Sequence, residues 1–387
     1  MKRALILSGG GARAAYQVGV LQALANILPA ETRNPFPIIC GTSAGAINAL
    51  ALACHPGNFR DSVASLAGIW QNLTPGQIYK HGWSDLGRGL GLLGFSLFNE
   101  GVGRTRPLSM LDNGPLWHLL GTAIRFENLD AAIASGKLSA VAVNAMGYSS
   151  GQSVSFFQGE ESLNGWNRYR RVGVPTRLKL EHLLASSAIP TIFPAVRINR
   201  EYFGDGALRQ LAPISPALHL GAESLFIVGV SGNREAKKAI KRRSVRHSPS
   251  MAQIVGQLFN SAFIDALEGD LEHLERINEL VEMIPPGTLA ESGMPLRAVD
   301  NRIISPSREL DDIAGRKVRY LPKSLRFFLR AIGATTKGGG ATAASYLLFH
   351  QSFISELMEL GYQDTMWEAE RLRSFFEVEQ PEKGKSK

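Results

Sequence analysis

Residues 38–50 read IICGTSAGAINAL. An apolar run ends at Cys40, small residues carry the chain through Gly45, and an alanine-rich pattern of helical spacing begins. The run reads as a buried strand and the pattern after it as a helix, so the chain turns sharply at Ser43. Two roles are open to that serine. It caps the helix, a frequent task for serine, or it is the nucleophile of a GxSxG elbow, held on a strained strand-to-helix turn that only small neighbours permit. In the second role the first helix amides point toward the serine and stabilise negative charge there.

Outward from the elbow, strand and helix patterns alternate. RALILS at 3–8 reads as a strand, RAAYQVGVLQALANIL at 13–28 as a helix, FPIIC at 36–40 as a strand and AGAINALALAC at 44–54 as a helix. SAVAVNAMGY at 139–148 and QSVSFFQ at 152–158 read as strands around a Ser-Ser-Gly turn, and SLFIVGVS at 224–231 as another buried strand. This order predicts a mainly parallel sheet covered by helices. Residues 82–103 mix glycine with bulky apolar side chains. They read without strand or helix period, as a packed irregular loop or as an oily flap beside a lipid cleft.

The character changes after Ser231. A basic run at 234–247 marks a boundary or an exposed helix, and residues 250–284 read as one long amphipathic helix with a kink near Gly269. A second basic cluster spans 315–330, further helical segments follow, and the tail 379–387 reads as disordered. The expected organisation is a catalytic domain over 1–232 and a helical, basic region over 233–387. No internal repeat is visible.

At 387 residues, 44% of them hydrophobic, the chain is long enough for a large core. Its charged fraction of 20% is well mixed, which excludes a disordered protein. Cys40 and Cys54 are too few for a disulfide scaffold and stand in no metal-binding spacing, so reduced buried thiols are expected. The apolar stretch Ala4–Leu7 is too short for a signal peptide, and no segment is long enough to span a bilayer. A cytoplasmic protein is the expectation. The net charge of +8 favours an anionic partner, nucleic acid or membrane surface.

LSGGGARAAYQVG at 7–19 places three glycines between a strand and a helix, a loop whose amides suit phosphate or an oxyanion. Gly9, Gly11 and Ala14 fit the loose dinucleotide pattern, which also needs an acidic residue at the end of the second strand. Nothing acidic lies between Glu31 and Asp61, so the nucleotide reading falls. The other reading is an oxyanion hole, in which each preorganised donor is worth roughly 3–4 kcal/mol. Arg13 adds a positive charge for an anionic headgroup or for ordering the loop. A helix start disfavours a surface cation there.

A base is harder to find. Of eight histidines, His219, His247, His273 and His350 follow a plausible acid, but none sits in a short loop of small residues, and His219 looks structural beside the strand at 224. Asp205 does sit in such a place, between Gly204 and Gly206. On spacing alone an Asx turn is the preferred reading. As a base, a carboxylate needs burial and concerted proton transfer.

Together, Gly9-Gly10-Gly11-Ala12-Arg13-Ala14, Gly41–Gly45, ASSAIPTIFPAV at 185–196 and Asp205-Gly206-Ala207 resemble the patatin-like phospholipase family across about residues 4–230. The resemblance implies a three-layer α/β/α fold, a Ser43–Asp205 dyad without histidine, and an oxyanion hole at Gly9, Gly10 and Gly11, with Ala44 as a further donor. It also implies a phospholipid or lysophospholipid substrate with neither metal nor cofactor. Ala14 departs from the family's usual glycine; its methyl is small and the position reads as already helical, so the site is expected to survive, with loop geometry the open point. The basic clusters then suit peripheral docking on an anionic membrane, or are solvated helix faces. No motif supports nucleic acid. Two rivals remain: a non-catalytic lipid-binding protein on the same fold, and an esterase with a Ser-Asp-His triad through His219. The second conflicts with glycines that follow the first strand rather than the third.

Overall fold

The computed structural model describes residues 2–96, 98, 107–210, 212–232, 250–261, 266–285, 288–291, 296–332 and 340–378. The basic run at 234–247 and the tail at 379–387 lie outside the described residues, as do 97 and 99–103 of the glycine-rich stretch.

The opening segments alternate as their sequence patterns predict. Strand β1 (Arg3–Leu7) is followed by helix α1 (Ala15–Ile27), strand β2 (Ile38–Thr42) and helix α2 (Ala44–Ala53). Helix α3 (Phe59–Gln71) comes next, started by Asn58, whose side chain accepts from the Asp61 N–H. Strands β3 (Ala140–Gly147), β4 (Ser153–Gly159), β5 (Trp166–Arg168), β6 (Arg171–Pro175), β7 (Val196–Ile198), β8 (Glu201–Asp205), β9 (Ser224–Val228) and β10 (Asp300–Ile304) complete the sheet.

Among the described residues the sheet has ten strands, in the order β10-β9-β1-β2-β3-β4-β6-β5, with β8 pairing β3 and β7 pairing β8. The run from β10 to β3 is parallel. Strand β4 then reverses against β3.

Side chains alternate across the strands. Leu5, Leu7, Ile39, Val141 and Val143 face one hydrophobic cluster, filled by α1, α2, α3 and helix Gln351–Trp367. Ala4, Ile6, Ile38, Cys40, Ala140 and Ala142 face the other, covered by helices Ser215–His219 and Ala266–Glu282. The result is a three-layer α/β/α fold with a helical C-terminal region.

Residues past 232 join the same sheet and core. Strand β10 runs parallel to β9 from Asp300 opposite Ser224. Phe376 packs against both Phe36 and Phe226, and the Tyr16 hydroxyl donates to Asp364 at 2.9 Å.

One expectation needs correction. Residues Trp83–Ser96 form a helix, not an irregular loop. Leu86 is buried, and Leu90 and Leu93 pack against the core at positions i+4 and i+7 from it. Of the helix expected over 250–284, Met251–Asn260 and Ala266–Glu282 are helical, with Gly269 inside the second, and residues 262–265 between them lie outside the described residues. Among the described residues no helix is long and apolar enough to cross a membrane.

Candidate active site

Ser43 stands between β2 and α2 with φ 55° and ψ −128°, in the left-handed half of backbone space that β-carbons disfavour. Such a strained turn persists only where its surroundings hold it. The Ser43 N–H donates to Ser186 Oγ at 2.9 Å, and Ser186 Oγ donates to the Asn144 carbonyl at 2.6 Å. The Asn144 amide in turn reaches Thr42 Oγ1 at 2.9 Å. Close approach does the rest, since a β-carbon at Gly45 would run into the carbonyl oxygens of Leu7 and Ser8.

The Ser43 side chain makes no capping bond to its helix. Its Oγ donates instead to Asp205 Oδ2 at 2.6 Å, across 162 residues of sequence. Asp205 ends β8 opposite Ala145 of β3, and its N–H donates to the Ala188 carbonyl at 2.9 Å. Its second oxygen, Oδ1, accepts from the Ala207 N–H at 2.9 Å. The turn-forming and serine-binding readings of Asp205 therefore describe different oxygens of one carboxylate.

Burial pushes the Asp205 carboxyl up to about 7, against the opposing pull of the bonds from Ser43 and Ala207. That is the range in which a carboxylate can take and return a proton near neutrality. Burial also raises the Tyr148 hydroxyl, and the charge of Asp205 adds to that rise.

The glycine loop lies alongside. Gly11 takes φ 55°, and a β-carbon there would strike the Tyr346 carbonyl. Gly11 opens a short 3-10 turn and Ala44 opens α2, so their N–H groups have no acceptor within their own helix. Gly11, Ser43 and Ala44 all line one apolar cleft, walled by Ile47, Leu119, Phe193 and Phe349. Gln17 Nε2 donates to the Ser8 carbonyl at 2.8 Å, and Asn48 joins Gln17 to the Trp70 ring nitrogen. This buried chain of bonds ties the loop to α1, α2 and α3.

Arg13 is not among the residues that line the cleft. Its side chain is 3% exposed, with Nη2 2.5 Å from Asp311, Nε donating to Ser345 Oγ at 2.7 Å and the guanidinium 4.3 Å from the Tyr346 ring centre. It orders the loop. Ala14 is fully buried at φ −65°, an ordinary helical conformation that its methyl does not disturb.

His219 stacks on Trp166, and its Nδ1 lies 2.8 Å from the Ser215 carbonyl, on the sheet face opposite α2. Burial lowers its pKa. Both cysteines are free and buried, and burial pushes each thiol up to about 12. Among the described residues no group of three His, Cys, Asp or Glu side chains is placed to hold a metal ion.

Sequence reasoning gave no role to Ser186, Asn144 or the Ala188 carbonyl. The only signal was their neighbourhood: Ser186 and Ala188 lie in the 185–196 block that carried part of the family resemblance.

A family model described as patatin-like phospholipase matches residues 5–218. No curated protein matches the chain. Among solved structures, the crystal structure of VipD from Legionella pneumophila is similar at 13% identity, over 96% of this chain and 67% of that one, with a TM-score of 0.33.

Proposed function

This chain belongs to the patatin-like phospholipase family, a family of lipid acyl hydrolases, and we propose that it cleaves fatty-acyl esters of phospholipids or lysophospholipids through a Ser43–Asp205 dyad. One observation carries the reading: the 2.6 Å bond from a serine on a strained turn to a buried carboxylate, beside an apolar cleft.

Ser43 Oγ attacks the ester carbonyl carbon while Asp205 Oδ2 takes its proton. The carbonyl oxygen becomes an oxyanion held by the N–H groups of Gly10, Gly11 and Ala44. Collapse expels the lipid alcohol, which leaves with the proton from Asp205. Water then attacks the acyl-enzyme, Asp205 accepts its proton, and the fatty acid is released as Ser43 is reprotonated. The other oxygen of Asp205, anchored to Ala207, keeps the carboxylate oriented throughout. The apolar cleft of Ile47, Leu119 and Phe193 suits an acyl chain.

The test is fatty-acid release from phospholipid and lysophospholipid micelles in EDTA by wild type, Ser43→Ala, Asp205→Asn and His219→Ala. Activity that survives in His219→Ala and disappears in the other two supports the dyad. Loss in His219→Ala sinks it in favour of a triad.

A further inference from the structure

We propose that the exposed face built by helices Trp83–Ser96 and Lys323–Ala331 docks the protein on an anionic lipid bilayer, a reading that rests on the lipid acyl hydrolase assignment. Helix Lys323–Ala331 buries Leu325 and Leu329, and its opposite face carries Lys323, Phe327 and Arg330, spaced four and three residues apart. Those three share one side of the helix, an aromatic ring between two bases. Phe327 is 63% exposed, yet it is packed edge-on against Trp83, which is 58% exposed, at 5.6 Å. Ser324 Oγ donates to the His81 carbonyl at 2.6 Å and ties helix Lys323–Ala331 to the segment that leads into Trp83. Further along helix Trp83–Ser96, Phe95 is also more than half exposed, on a different side of the helix from Trp83.

Large apolar side chains left in water at this density mark a surface that meets something. Charge decides what. From Ile313 to Ile332 the chain has no acidic residue, and among the described residues neither Lys323 nor Arg330 is in an ion pair. An aromatic pair framed by two bases fits an interface of anionic headgroups over acyl chains.

The position fits as well. Ile78, five residues before Trp83, lines the cleft that contains Ser43. Helix Gly114–Ala123 lines it with Leu116, Leu119 and Leu120 while holding Trp117 about half exposed. Docking on this face would bring the cleft against the source of its substrate.

The test uses full-length Ser43→Ala, which leaves vesicles intact, sedimented with phosphatidylcholine vesicles with and without phosphatidylglycerol. The expected result is stronger pelleting with phosphatidylglycerol that weakens as salt rises. Each base near such a surface contributes about a fivefold gain in partition, so reversing Lys323 and Arg330 to Glu lowers it by at least ~25-fold. Trp83→Ser with Phe327→Ser lowers binding to both vesicle types, and the same pair on intact Ser43 leaves hydrolysis of a soluble short-chain ester unchanged. Brominated lipid quenches tryptophan emission of the parent. Equal pelleting with both vesicle types, double variants that pellet like the parent, or no quenching overturns the proposal. Vesicle binding by a protein that turns over no ester leaves docking standing and removes the hydrolase reading.

Discussion

Asp205 uses its two carboxylate oxygens for different tasks, and its pKa follows from where they sit. Its folded value of about 7 exceeds the ~3.9 of an unfolded aspartate. Between those values the folded chain holds a proton that the unfolded chain has lost, so stability falls as pH rises through that window and is level above it. Asp205→Asn removes the dependence. The variant is expected to unfold later than wild type by roughly 2–4 kcal/mol at about pH 8, with the gap closing toward about pH 4. Denaturant melts at the two pH values check this, and a gap that grows on acidification contradicts it. Catalysis moves the opposite way, because the base must be ionised. The value of kcat/KM is expected to rise with pH along a limb of apparent pKa about 7. Ser43→Ala and Asp205→Asn each lower kcat by at least about four orders of magnitude.

At the scale of elements, the glycine loop and helix Trp83–Ser96 show what local pattern does and does not reveal. Gly11 is readable as special because it follows a strand and precedes a helix, but its partner Tyr346 lies 335 positions away and leaves no local trace. Gly11→Ala meets both a positive φ and the Tyr346 carbonyl, and the displaced amide is expected to cost about 10²-fold in kcat with little change in KM. Steady-state kinetics on a soluble ester would show it; equal loss through KM alone would point to a binding defect instead. Helix Trp83–Ser96 was hidden for another reason. Leu86, Leu90 and Leu93 keep helical spacing, but Gly87, Gly91 and Gly94 lower helix propensity, and exposed Leu92 and Phe95 blur the apolar stripe. Those side chains are readable only once an outward use for them is considered.

At the scale of the molecule, the sequence carried the strand–helix alternation of the first 54 residues and the buried strand at 224, because each packs by its own periodicity. Strand β10 was not legible: Asp300, Asn301 and Arg302 occupy a sheet edge, where polar residues are tolerated and no alternation is enforced. The site was legible as motifs but not as a framework. Ser186 and Asn144 support the elbow through tertiary contacts alone. The same holds for Arg13 and Asp311, 298 residues apart, which link the glycine loop to the C-terminal region. Breaking this pair from the Asp311 side strands a buried guanidinium. Asp311→Ala is expected to destabilise the chain by about 3 kcal/mol, the low end for buried pairs because Asp311 is partly exposed. It should also lower kcat on a soluble ester at temperatures where the variant is folded. Unchanged stability and rate would mean that the loop holds its shape without the C-terminal region.

The most direct test of the dyad is the rate at which a long-chain fluorophosphonate labels the protein, with the modified residue identified by mass spectrometry. The account predicts one adduct, on Ser43, forming at the wild-type rate in His219→Ala and almost not at all in Asp205→Asn. Labelling elsewhere, or a rate that survives Asp205→Asn but falls with His219→Ala, would contradict it.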